Sequence, residues 1–303
     1  MDWLQLHLSA PSDRLEALED ALHACGAVAV SFGELGDRPV LEPAVGEMPL
    51  WDTVAVAALF PVDSPRDELQ QALTEAFGAE LPSEPRWEVL EDRPWEREWL
   101  QHFAPIRCGE RLWVCPHGHA LDAPGAVILR LDPGLAFGTG THPTTSLCLG
   151  WLDAHARAGE EVIDYGCGSG ILGIAALLLG ADRVRAVDID PQALLATHEN
   201  AARNGIAGAR LVVSAPEALS GAEPADLLLA NILAGPLVAL APRFAGLLRT
   251  GGVAVLSGVL EAQAPEVIHA ASRWFALEEL ATSEGWCRIA LRRNPNGADP
   301  AAA

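Results

Sequence analysis

The chain has 303 residues, half of them hydrophobic and a fifth charged, which leaves room for about two ordinary domains. Its 41 acids face 20 basic residues, all of them arginine, for a formal charge of −21, a field that repels nucleic acid phosphates. No apolar run reaches the ~18–20 residues of a membrane span, no cationic leader opens the chain, and its 6 cysteines are scattered like reduced thiols, so a cytoplasmic protein is expected.

The first ninety residues predict strand, helix, strand, strand, helix, strand. Trp3–Leu8 alternates large and polar side chains, as a half-buried strand does. Ser12 offers an N-cap to a helix whose Leu15, Leu18 and Leu22 share a face and which stops near Gly26. Val28–Phe32 and Val54–Phe60 read as strands on either side of a long loop. Ser64-Pro65 opens a second helix with Leu69, Leu73 and Phe77 inward, and Trp87–Leu90 closes the series. This order predicts a small α+β ferredoxin-like domain over 1–90. The first hundred residues carry 21 acids and six arginines, a local charge of −15.

Trp95, Trp99 and Phe103 recur one turn apart, which predicts a linker helix within 91–106. From Glu161 strands and helices alternate. Val162–Tyr165, Val184–Asp188, Leu211–Val213, Leu227–Asn231, Val253–Leu256, Ala276–Leu280 and Cys287–Arg292 are the strands of an expected parallel, doubly wound α/β domain over 107–293. Residues 294–303 have nothing to bury and read as a disordered tail.

The chemistry concentrates in Val162-Ile-Asp-Tyr-Gly-Cys-Gly-Ser-Gly-Ile-Leu-Gly173, where a strand runs into Gly166, Gly168 and Gly170 and then into an Ala/Leu-rich helix. Glycines there let a ligand approach the backbone, and the helix start offers unpaired N–H groups. Asp188 ends the next strand, placed to accept the ribose hydroxyls of an adenosine-type cofactor. Two cofactors fit this pattern. Gly168-Ser-Gly-Ile-Leu-Gly173 satisfies a dinucleotide fingerprint, and an NAD-dependent oxidoreductase is the alternative it implies. Asp164-Tyr-Gly-Cys-Gly-Ser-Gly170 instead resembles the first motif of S-adenosylmethionine-dependent methyltransferases. Asn231-Ile-Leu-Ala-Gly-Pro236 stands where methyltransferases acting on nitrogen place an Asn or Asp, which favours the second cofactor.

Upstream, Leu131-Asp-Pro-Gly-Leu-Ala-Phe-Gly-Thr-Gly-Thr-His-Pro-Thr-Thr-Ser146 is a glycine and threonine loop in which Pro143 begins a helix, with Thr144 and Thr145 in its first turn. Together with Asp164–Gly170, Asp188-Ile-Asp-Pro191 and Asn231–Pro236, this segment closely resembles the ribosomal protein L11 methyltransferase (PrmA) family. The resemblance is dense from Leu131 to Leu260 and looser over the first ninety residues. It implies a Rossmann-like S-adenosylmethionine-dependent methyltransferase domain preceded by a ferredoxin-like substrate-recognition domain. It also implies methylation of amino groups, lysine side chains and the N-terminal amine, on large-subunit ribosomal protein L11. By the same resemblance Thr145, Gly166, Asp188 and Asn231 are cofactor-binding, Gly168 and Gly170 complete the loop, and Asn231 is catalytic.

Rival readings are a methyltransferase of another protein or of a glutamine amide, and a non-catalytic ribosome-binding module. Neither a membrane nor sequence-specific nucleic acid is an expected partner. Cys108, Cys115, His117 and His119 include metal-ligand types, but their spacing favours a loop beside a sheet, and no metal is expected. His142 is read as a helix-entry residue before a general base.

Overall fold

Leu4, Leu6, Leu8 and Ala10 are buried in turn along β1 (Trp3–Pro11), while the residues between them stay partly exposed. That period of two makes one face of the strand a core face. The computed structural model describes residues 2–33, 53–77, 85–90, 104–116, 118–119, 121–131 and 140–295. The linker helix expected within 91–106 falls outside the described residues up to 103, as does most of the tail, 296–303. Grouped by contact, the chain forms two units, Met1–Glu98 and Trp99–Ala303.

The first unit continues with α1 (Leu15–Ala24), β2 (Ala29–Gly33), β3 (Thr53–Pro61), α2 (Arg66–Phe77) and β4 (Arg86–Leu90). Its sheet has the order β2-β3-β1-β4 with every pairing antiparallel, which is the ferredoxin-like arrangement. Val54, Val56, Ala58 and Phe60 of β3 meet the buried face of β1, and Leu15, Leu18, Leu22, Leu69 and Leu73 close that core from the helices. The side chain of Phe77 lies outside the described residues. Ser12 departs from its expected role. Pro11 is still paired in the ladder, so Ser12 becomes the first residue of a 3-10 turn, Ser12–Arg14, without a side-chain cap.

The second unit opens with a small sheet of β5 (Ile106–Arg107), β6 (Leu112–Cys115) and β7 (Val127–Arg130). The main sheet is built from β8 (Glu161–Tyr165), β9 (Arg183–Val187), β10 (Leu211–Ser214), β11 (Ala225–Asn231), β12 (Leu248–Leu260), β13 (Phe275–Ser283) and β14 (Trp286–Arg293). Five helices accompany it: α3 (Pro143–His155), α4 (Ile171–Leu178), α5 (Pro191–Arg203), α6 (Ala234–Leu247) and α7 (Ala264–Ala271). Successive strand residues serve opposite faces. Val162, Leu227 and Leu229 join the core under α3 and α4, whereas Ile163, Leu228 and Ala230 join the core under α6 and α7. A sheet buried on both faces has near-continuous apolar strands, which is how these segments read in the sequence.

The strand order is β10-β9-β8-β11-β12-β14-β13. From β8 the chain winds outward through β9 and β10, then returns to the other side of β8 with β11 and β12, all parallel. The order therefore reverses between β8 and β11, and ligands of such sheets bind at the carboxyl ends beside that reversal. The expectation of a wholly parallel sheet is corrected at its edge: β14 is antiparallel to both β12 and β13. The cause is a two-residue hairpin, Glu284-Gly285, whose φ angles of 52° and 80° give the twist that antiparallel neighbours need. The Gly251-Gly252 turn is absorbed into β12, which starts at Leu248 and shifts register against β11 between Ala225 and Leu227.

Candidate active site

β8 ends at Tyr165, and the chain turns through Gly166, Gly168 and Gly170 with φ of 77°, 54° and 78°. L side chains rarely adopt this left-handed region, so the residue choice here is conformational. The turn is tied to β9 by the Gly166 and Cys167 N–H groups, which donate to the Val187 carbonyl at 2.8 and 3.0 Å. Helix α5 holds it from the other side. The Thr197 hydroxyl donates to the Gly168 carbonyl at 3.1 Å, and the Asn200 amide donates to the Ser169 carbonyl at 2.9 Å. Thr197 and Asn200 were not singled out in the sequence. Their signal is a pair of polar residues, three apart, among the buried alanines of α5.

Asp188 stands just past β9, in the position that the sequence motif requires. One of its carboxylate oxygens accepts the Gly168 N–H at 2.9 Å and the other accepts the Asp190 N–H at 3.0 Å. An ionised carboxylate has about four acceptor sites, so two main-chain bonds fix its plane and leave capacity for a pair of ligand hydroxyls.

Asp164, one strand inward, is buried, and one oxygen accepts the Gly173 N–H at 2.8 Å. Burial pushes its carboxyl up to about 7; the Gly173 bond works against that shift and the Asp188 charge adds to it. Its folded value lies above the unfolded one, so the folded state binds the extra proton. Stability should fall as pH rises from about 4 to about 7 and level off above, by at most about 4 kcal/mol. Asp164→Asn keeps an acceptor for Gly173 without the charge. Thermal melts across pH 5–8 should show the variant losing less stability than the parent as pH rises; parallel profiles would refute this.

Asn231 ends β11 opposite Ser257 of β12. Its amide nitrogen donates to the Thr145 hydroxyl at 3.2 Å, while its amide oxygen is buried without a partner. A buried orphan acceptor is costly and marks a place where a ligand donor belongs. Beside it, Gly258 has φ of 83°, and a Cβ there would lie 2.8 Å from the Ile232 carbonyl carbon, so β12 admits the Asn231-Ile232 backbone only because this residue is glycine.

These groups face a cleft of about 720 Å³ at the carboxyl ends of the strands. Gly166, Gly168, Asp188 and Asn231 line it, together with Thr144, Ile189, Glu217 and Trp286. Gly170 sits behind the loop, where a Cβ would meet the Thr197 side chain 2.8 Å away. Thr145 is fully buried behind Asn231. Arg243 reaches the cleft from α6, stacks over the Tyr165 ring at 5.9 Å and donates to the Pro216 carbonyl.

His142 is the N-cap of α3. Its Nδ1 lies 2.7 Å from the Thr144 hydroxyl and accepts the Thr144 N–H, so the neutral ring carries its proton on Nε2. Burial lowers its pKa, against the nearby charge of Glu284, and its ring meets Trp286 edge-on at 4.9 Å. A neutral ring whose acceptor nitrogen is spent on the helix has no lone pair to offer as a base, in keeping with the helix-entry role.

Away from the cleft, Arg130 donates to the Cys115 sulfur at 3.1 Å and to the His119 carbonyl at 2.6 Å, while burial pushes the Cys108 thiol up to about 11. His117 lies outside the described residues. Among the described residues, no group of three or more His, Cys, Asp or Glu is placed to hold a metal ion.

The family model described as Ribosomal protein L11 methyltransferase (PrmA) matches residues 2–294. Two similar proteins carry that same name. The one from Pseudomonas paraeruginosa is 53% identical over 293 residues, covering 97% of this chain and 99% of its own length. The one from Cellvibrio japonicus is 50% identical over 289 residues, covering 95% and 98%. A crystal structure of ribosomal protein L11 methylase from Lactobacillus delbrueckii subsp. bulgaricus is 33% identical, covers 63% of this chain and 100% of that one, and superposes with a TM-score of 0.58.

Proposed function

Because this chain belongs to the ribosomal protein L11 methyltransferase family, we propose that it transfers methyl groups from S-adenosylmethionine to amines of ribosomal protein L11, lysine side chains and the N-terminal amine among them. The observation that carries this reading is the unpartnered, buried Asn231 oxygen at the cleft where the strand order reverses. The donor set fits the cofactor. Asp188 is fixed to accept ribose hydroxyls, and Gly166, where the Ile232 side chain fills the place of a Cβ, lines the cleft with bare backbone. When bound, S-adenosylmethionine supplies a methyl group made electrophilic by a sulfonium.

The rest of the work falls to this chain's own residues. An attacking amine needs a free lone pair. At pH 7 a lysine must lose its proton at a cost of about 4–5 kcal/mol, and an α-amine at about 1. A neutral asparagine oxygen accepts the hydrogens of the uncharged amine and turns its lone pair toward the cleft, whereas a carboxylate there would favour the charged form. The main-chain carbonyl of Ile232 follows directly and offers a further acceptor, whereas that of Leu233 already accepts the Leu237 N–H at 3.2 Å. Catalysis thus rests on positioning and on removal of water, with no dedicated strong base. This assigns Asn231 the amine and Gly166, Gly168, Gly170 and Asp188 the cofactor.

The −15 of the first hundred residues suits capture of a cationic, lysine-bearing protein. In this reading residues 1–90 hold the substrate, and the cytoplasm is where enzyme and ribosomal protein meet. The test incubates the protein with methyl-labelled S-adenosylmethionine and undermethylated ribosomal subunits. Label is expected in the band of ribosomal protein L11; label elsewhere, or an absorbance change with a nicotinamide dinucleotide instead, overturns the reading. Removing residues 1–90 should abolish that labelling and leave cofactor binding intact. The second unit carries its own two buried cores, so the shortened chain retains its folding determinants.

A further inference from the structure

The strands that carry the cleft stand side by side in the order β9-β8-β11-β12-β14. At the cleft the first four present Asp188, Gly166, Asn231 and Gly258 in turn, and β14, which runs antiparallel, starts at the same edge with Trp286 opposite Leu260. Neighbouring strands lie about 4.8 Å apart, so Asp188 and Trp286 flank Asn231 at about 10 Å on opposite sides. The ribose acceptor is thus on one side of the amine position. On the other is an indole ring, half-buried and packed against the His142 ring at 4.9 Å.

Among the described residues that line the cleft, the carboxylates are Asp188 and Glu217, both on the β9-β10 side of Asn231, and none lies toward Trp286. Glu284 stands exposed in the hairpin, outside the lining. Positive charge gathering on the amine therefore meets the Trp286 ring, whose π system attracts cations.

In each transfer the nitrogen gives its lone pair to the methyl carbon, and the carbon–sulfur pair stays on sulfur. The ammonium so formed must lose a proton to water before the nitrogen can attack again. A primary amine has two hydrogens for the Asn231 oxygen and the Ile232 carbonyl, a monomethyl amine one and a dimethyl amine none. The hold of Asn231 weakens with every methyl group. An aromatic ring needs no hydrogen on the nitrogen, and methylated ammonium groups are what such rings bind well.

We propose that Trp286 determines how many methyl groups an amine receives: its ring takes over the binding of the nitrogen as methyl groups replace the hydrogens that Asn231 holds. The inference rests on the reading that Asn231 receives the acceptor amine. It divides the work by stage, with Asn231 serving the first transfer most and Trp286 the last.

The test gives undermethylated ribosomal protein L11 to the enzyme with saturating S-adenosylmethionine and follows each amine through its mono-, di- and trimethyl forms by mass spectrometry. The quantity compared is the ratio of the last transfer rate to the first within one variant. A change in cofactor affinity scales every transfer alike and leaves that ratio untouched. Trp286→Leu should lower it about tenfold, the loss expected of one desolvated cation–π contact, and undermethylated product should accumulate. Trp286→Phe keeps an aromatic ring and should retain most of the ratio. Asn231→Ala should shift it the other way, because the first transfer uses the amide oxygen most. Equal slowing of all transfers in Trp286→Leu would mark a structural role and overturn the proposal, as would a parent enzyme that stops at the monomethyl form or a Phe variant no better than Leu. Were Trp286→Leu to melt at assay temperature, Trp286→Met, apolar and adaptable in shape, takes its place. If Asn231→Ala leaves turnover intact, the reading of Asn231 fails first, an outcome separate from Trp286 variants whose ratio stays at the parent value.

Discussion

Asn231→Ala should lower the rate of methyl transfer about 10²–10³-fold, the cost of deleting one preorganised hydrogen-bonding group from a reaction centre. The affinity for S-adenosylhomocysteine should survive, because the Asp188 carboxylate and the glycine turn are held by main-chain bonds that do not pass through Asn231. The orphan amide oxygen is what separates the two effects. It has no structural partner to lose, so in the resting protein the variant gives up only the bond from the amide nitrogen to the Thr145 hydroxyl. Asn231→Asp probes the same point by charge. A carboxylate stabilises the ammonium form of the acceptor, so the variant should be slow at neutral pH and recover as pH rises toward the lysine pKa. Single-turnover assays with saturating cofactor measure both variants, and unchanged turnover in Asn231→Ala would refute the assignment.

The parts of this molecule that were legible in its sequence are those where one physical demand dictates residue type. Strands β8 and β11 are buried on both faces and therefore read as apolar runs. The turn after β8 needs left-handed φ and so displays glycines, and Asp188 stands out as an acid at a strand end, where two main-chain N–H groups fix it. Other features depend on partners that sequence does not bring together. Thr197 and Asn200 grip the glycine turn from about thirty residues away, and only the fold shows which face of α5 meets it. Thr144 and Thr145 are the same residue type at adjacent positions. A 100° step around the helix sends one to the cleft and the other to Asn231, a distinction no motif encodes. The reversed strand β14, next to the sheet edge, was hidden for a local reason. Its hairpin uses Glu284-Gly285 in place of the Asn-Gly or Asp-Gly pair that signals such a turn, and Glu284 is the one non-glycine residue with positive φ among those described. Ser12 failed as a cap because the ladder of β1 runs on through Pro11, a tertiary demand that outweighs a local preference.

Gly166→Ala should damage the site through two separable effects. The φ of 77° costs an L residue about 1–2 kcal/mol, and the new methyl would overlap the Ile232 side chain. Ile232 follows Asn231 directly, so relief of the overlap by side-chain movement also disturbs the residue assigned to the amine. The two contributions come apart in a second variant. Ile232→Ala removes the overlapping atom but leaves the backbone conformation as it was. The double variant Gly166→Ala/Ile232→Ala should therefore regain part of the S-adenosylhomocysteine affinity and thermal stability lost in Gly166→Ala. It should still fall short of Ile232→Ala alone by about tenfold in affinity, which is what 1–2 kcal/mol of conformational strain amounts to. Complete recovery in the double variant would mean that overlap alone sets the requirement for glycine. No recovery at all would mean that the turn fails for its backbone, with Ile232 a bystander. Either result bears on the glycine turn and the Asn231 strand end, which meet at this one contact across the reversal in strand order.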